Sequence, residues 1–271
     1  MKPCKMRLAP TAMIPLFFLL ISGMTAPPVG AAPPLILADA SGSMRETVEV
    51  LRRDFEGPDS DAEEGETIHV PKIEVMRTLL VRLVEAMPET TGTVGVYRLR
   101  YIAGNPARYA VFLEPEPRET KETVKRLTED FSVEYPVFNR RTDLADGLRQ
   151  FDETVLSEME GERSVLLLSD GRESFYDLDR DREAAASEET DEEKAVRGPL
   201  TETGRLRKVY GEVLSLFTVY LDRTEPEEEE EPEGRRLLEE MARSGGGRFF
   251  DGAALLNDIG PLAEAFFGRE Q

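Results

Sequence analysis

A chain of 271 residues with 40% apolar content, 7% aromatic content and no tryptophan holds enough aliphatic material for one substantial α/β core. Its 54 acidic residues outnumber 34 basic ones, and the resulting formal charge of -20 repels phosphate backbones and anionic lipid headgroups, which argues against nucleic-acid and peripheral-membrane partners. Cations and basic protein surfaces remain.

At the start of the chain, Lys2, Lys5 and Arg7 precede the apolar stretch "MIPLFFLLISGM", and small residues follow. That is the pattern of a secretory signal peptide, too short to span a bilayer comfortably. Cleavage after Ala31 places Val29 and Ala31 at the small-residue positions; a retained anchor is the alternative. The only cysteine, Cys4, lies ahead of the apolar stretch, so it cannot be a lipoprotein cysteine and would be removed with the signal. The mature chain would then be an exported bacterial protein, periplasmic or extracellular, with no disulfide to stabilise it and no stable transmembrane segment.

Beyond residue 33, short apolar runs alternate with helical patterns. "LILA" (35–38), "GVYRLRYI" (95–102), "YAVFLE" (109–114), "SVLLLS" (164–169), "VLSLFTVYL" (213–221) and "GRFF" (247–250) read as strands. "KIEVMRTLLVRLVEAM", "ETKETVKRLTEDF", "DLADGLRQFDETVLSEM", "EGRRLLEEMAR" and "LAEAFF" carry apolar residues at helical spacing. Alternating strands and helices predict crossover units and a mostly parallel sheet. Only the turn-forming "AGNPA" separates the second and third strands, which predicts an antiparallel pair at one edge. Three acidic segments, 53–71, 172–194 and 223–234, interrupt this order and read as solvated insertions.

The opening strand ends in "LILADASGSM", which puts Asp39 at its carboxyl end with Ser41 and Ser43 at alternate positions behind it. Ligands of open parallel sheets bind beyond those carboxyl ends. "SVLLLSDG" places Asp170 at the end of another buried strand, and Thr142 stands directly before a helical pattern in "NRRTDLADGL". Two carboxylates and three hydroxyls, with no thiol or imidazole, form a hard oxygen donor set suited to Mg²⁺, Mn²⁺ or Ca²⁺. For Asp39, Ser41 and Ser43 taken alone, a helix-capping turn is the competing explanation.

With these residues in view, the chain resembles a von Willebrand factor type A domain with a metal-ion-dependent adhesion site. The Asp-x-Ser-x-Ser motif of that site stands as Asp39, Ser41 and Ser43, its threonine as Thr142 and its second aspartate as Asp170. "MARSGGGRFFDG" is similar to the glycine-rich turn and strand near the end of such domains, and the likeness covers residues 34–268. The resemblance implies a Rossmann-like six-stranded sheet in the order 3-2-1-4-5-6, with helices on both faces. It also implies a partner protein whose Asp or Glu completes the metal shell, and Asp170 acting through water. The acidic insertions depart from the pattern and leave the partner open.

Weaker signals point elsewhere. Asp177, Asp179, Asp181 and Glu188 have calcium-loop spacing, but Arg182 stands where the turn needs glycine. Gly245, Gly246 and Gly247 precede a strand instead of following one, so they read as a turn. His69 is the only histidine, and there is no Gly-x-Ser-x-Gly elbow for it to serve. The leading expectation is a non-enzymatic, metal-dependent protein-binding module. A haloacid-dehalogenase-like, Mg²⁺-dependent phosphatase would also place an aspartate after its first strand, though it needs a second acid where Ser41 stands. A third reading makes the acidic insertions the binding surface and leaves the metal edge unused.

Overall fold

The computed structural model describes residues 32–57, 60–88, 91, 94–99, 109–113, 126–127, 144–172, 191–222 and 232–268. All belong to the unit Ala31–Gln271. In chain order the strands are β1 (Leu35–Asp39), β2 (Thr47–Leu51), β3 (Thr67–Pro71), β4 (Gly95–Leu99), β5 (Tyr109–Leu113), β6 (Arg163–Ser169), β7 (Leu214–Tyr220) and β8 (Gly246–Asp251). The helices are α1 (Arg52–Glu56), α2 (Lys72–Glu85), α3 (Leu144–Thr154), α4 (Asp191–Tyr210), α5 (Glu233–Ser244), α6 (Gly252–Asn257) and α7 (Gly260–Phe267).

Six strands form one sheet in the order β5-β4-β1-β6-β7-β8. Every neighbouring pair is parallel except β4 and β5. Counted among themselves, these strands give the expected order 3-2-1-4-5-6 with one antiparallel edge strand. β1 is buried at all five positions because it is central and covered on both faces. Alternate side chains then enter two different cores. Ile36 and Ala38 join Leu166, Leu168, Val219, α2 and α7 on one side. Leu35 and Leu37 join Tyr97, Val165, Leu167, α3 and α5 on the other, where the Tyr97 and Phe151 rings meet edge to face at 4.9 Å.

Two elements differ from the sequence expectation. Residues 53–71 do not form a plain solvated loop. They begin within α1 and end in β3, which pairs antiparallel with β2 in a separate two-stranded ribbon, and Val48, Val50 and Val70 are buried beneath it. The alternation in "TVEVL" is the cause, one face apolar and the other wet. The second difference is α4, whose 20 residues had no predicted helix. Leu206 is buried in the α3/α5 core, with Leu200 and Tyr210 packed against it at helical spacing. Of "ETKETVKRLTEDF" only Arg126 and Leu127 are described, both helical. The candidate calcium loop and the acidic run 223–230 lie outside the described residues. Among the described residues no helix is long and apolar enough to cross a membrane.

Candidate metal centre

β1 delivers Asp39 to the carboxyl end of the sheet, and the chain then turns through a 3₁₀ segment, Gly42–Arg45. The Asp39 carboxylate closes that turn, because its Oδ1 accepts the Ser41 amide at 2.8 Å. Ser41 and Ser43 lie on one side of the turn with their Oγ atoms 3.0 Å apart.

The parallel register sets Ala38 beside Leu168, so the strand ends Asp39 and Ser169 are neighbours. Ser169 was not among the expected site residues. Its hydroxyl donates to Asp39 Oδ2 at 2.7 Å and accepts the Gly171 amide at 3.0 Å, joining the ends of β1 and β6. Asp170 follows directly, buried, with its Oδ1 accepting the Arg172 amide at 3.2 Å. Burial first, and the nearby Asp170 charge second, push the Asp39 carboxyl up to about 6.

A lysine that the sequence does not advertise completes this end of the sheet. Lys72, the first residue of α2, is 1% exposed. Its ammonium donates to Asp170 Oδ2 at 3.1 Å, Asp222 Oδ2 at 2.7 Å and Glu46 Oε2 at 3.2 Å, so each of its three protons has a carboxylate. Burial works to lower the Lys72 pKa, but Asp170 and Asp222 outweigh it and hold the group above its ordinary range. Arg172 clamps two of the same acids from the solvent side, reaching Glu46 at 2.7 Å and Asp222 at 3.1 Å. Beside this network lies a cavity of about 470 Å³ whose lining includes Thr47, His69, Asp170, Arg172 and Asp222.

Asp39, Ser41, Ser43 and Asp170 therefore gather at one end of the sheet. Thr142 lies outside the described residues, two positions before α3 begins. Among the described residues no group of three or more His, Cys, Asp or Glu side chains could hold a metal, so an ion here would rely on hydroxyls. The donor set fits that use. Adjacent ligands of an octahedral Mg²⁺ at about 2.1 Å are about 3.0 Å apart, and the Ser41 and Ser43 oxygens have that separation.

Comparison with solved structures places this architecture among von Willebrand factor type A-like folds. The chain is similar to the pilus adhesin SpaC from Lactobacillus rhamnosus GG, at a TM-score of 0.52 and 16% identity, covering 87% of this chain and 31% of that one. It is similar to a D319A mutant of the PilB minor pilin from Streptococcus sanguinis, at a TM-score of 0.51 and 13% identity, covering 88% and 62%. An aerotolerance-related membrane protein from Bacteroides fragilis aligns at a TM-score of 0.50 and 13% identity, over 85% of this chain and 97% of that one. At these identities the likeness is one of fold. No family model and no curated protein matches the chain.

Proposed function

We propose that residues 34–268 form an exported, divalent-cation-dependent protein-binding module, freed of residues 1–31 by signal cleavage, and that it works by adhesion and not by catalysis. The observation that carries this reading is the hydroxyl pair Ser41 and Ser43, 3.0 Å apart, held by Asp39 at the same sheet end as Asp170. Ser41, Ser43 and Thr142 would touch Mg²⁺, Mn²⁺ or Ca²⁺, with Asp39 and Asp170 behind them. A bound ion supplies a position for a carboxylate from outside. The ligand is then a protein presenting an Asp or Glu; the pilus adhesin and the minor pilin of similar fold support the coarser role of protein interaction. Asp39 keeps the turn closed by accepting the Ser41 amide, and Ser169 fixes the other Asp39 oxygen, so this acid does not have to be organised by the incoming ligand.

The test is thermal unfolding of the full chain with and without Mg²⁺ or Mn²⁺. The melting temperature should rise with metal, and Asp39→Ala should abolish the rise. A parent protein whose unfolding ignores both metals rules the reading out.

The phosphatase reading gains one observation, a buried lysine at the site. However, Lys72 is bonded to Asp170, Asp222 and Glu46, and the Asp39 carboxylate is fully buried with hydrogen bonds to both oxygens, which is poor placement for a nucleophile. Turnover of a generic phosphate ester that disappears in Asp39→Asn would reinstate it.

A further inference from the structure

We propose that Lys72 is an internal counter-ion which occupies Asp170 while no divalent ion is bound, and which the ion must displace in order to load. The proposal rests on the metal-centre reading and names what regulates that site.

The placement of Lys72 is costly by every local rule. A cation at the first residue of a helix opposes the axial dipole, and a lysine with 1% exposure has given up its hydration. Both costs are offset by three carboxylates from separate parts of the chain. Glu46 follows the Ser41–Ser43 turn, Asp170 follows β6 and Asp222 lies beyond β7. One backbone bond, from Lys72 N to Glu46 O at 2.9 Å, fixes the stem of the side chain against the same turn.

Two consequences follow from the geometry. Asp39 and Asp170 are close enough to repel each other, and the ammonium at 3.1 Å compensates Asp170, so the site can close without metal. The same ammonium raises the potential that an arriving dication meets and engages one oxygen of the second aspartate. Metal affinity is thereby set low by the protein itself. Lys72 has somewhere to go when the ion arrives, because Asp222 at 2.7 Å and Glu46 at 3.2 Å hold it independently of Asp170. Arg172 is the natural comparison. It carries the same charge and reaches the same acids, but its side chain is 52% exposed and its Nε stands 3.9 Å from Asp170 Oδ2.

The experiment measures Mn²⁺ binding to the full chain, by the electron paramagnetic resonance signal of free Mn²⁺, at one pH and ionic strength. Lys72→Met should bind Mn²⁺ about tenfold or more tighter than the parent, whereas Arg172→Gln, whose charge is screened by solvent, should gain less than about threefold. Asp39→Ala should not bind. Parent-like affinity in Lys72→Met overturns the proposal while leaving the metal reading intact, and so do equal gains in both cation variants, which would mean a diffuse charge effect. No Mn²⁺ binding in parent or variants removes the metal reading and the proposal with it. Should Lys72→Met not fold, the parent decides. The Lys72 Cε–Hε resonance, assigned with Lys72→Arg, should move when the diamagnetic Mg²⁺ is added, and a stationary resonance at saturation overturns the proposal.

Discussion

Asp39 is the residue on which the site turns, and its carboxyl has a folded-state pKa near 6 because burial and the Asp170 charge both disfavour ionisation. An acid whose pKa is raised by folding binds its proton more tightly in the folded state, so this group stabilises the fold below its ordinary pKa of 3.8 and the contribution is lost as pH rises towards about 6. In EDTA the parent should therefore lose stability relative to Asp39→Asn between pH 4 and pH 6, by on the order of 2 to 3 kcal/mol, read from urea titrations at each pH. Added Mg²⁺ should reverse that loss above pH 6. At this scale the sequence was half legible. Asp39, Ser41, Ser43 and Asp170 announce themselves by spacing within two short motifs. Lys72 does not, since "VPKIEV" reads as an ordinary helix start. Its burial is created by Asp170 and Asp222, which stand 98 and 150 positions away. Ser169 was within reach, because the parallel register of two strands ending in acids puts the residue before Asp170 beside Asp39.

Among the elements, the contact between the β6 turn and the start of α5 leaves almost no room. Gly171 takes φ +70°, and a Cβ on Gly234 would come within 2.3 Å of the Asp170 carbonyl oxygen. Only glycines allow the two backbones to approach this closely. Gly234→Ala should cost about 1 to 3 kcal/mol in urea unfolding and weaken the metal response, because the displaced atom belongs to Asp170. Gly204, inside α4 with no atom within 4 Å of its missing Cβ, is the matched control. The same change there should stabilise the fold by up to about 1 kcal/mol. The strands were legible because buried parallel strands are unbroken aliphatic runs. α4 was not, because Pro199 falls inside it and its surface is highly charged. Tertiary bonds anchor it nonetheless. Arg205 donates to Asp152 of α3 at 2.5 Å, and the Tyr210 hydroxyl donates to the same acid. The β2–β3 ribbon is hidden in the sequence because an acidic stretch separates its two strands.

For the molecule as a whole, alternation predicts a mostly parallel sheet and the short connection after β4 its one antiparallel pair, while the strand order is what the family resemblance implies; that order fixes which strand ends can cooperate. β1 lies between β4 and β6 with both faces covered, so its amides, like those of β6, are two strands removed from the nearest edge at which opening could begin. In deuterium exchange, Ile36 to Ala38 should be among the slowest amides, exchanging only with global unfolding, and those of Thr47 to Leu51 in the ribbon should exchange orders of magnitude faster. On that expectation the two serines ride on a floor that opens only when the whole fold does, while the ribbon beside them opens alone. A guest seated there would therefore be held from below by the part of the molecule slowest to give way.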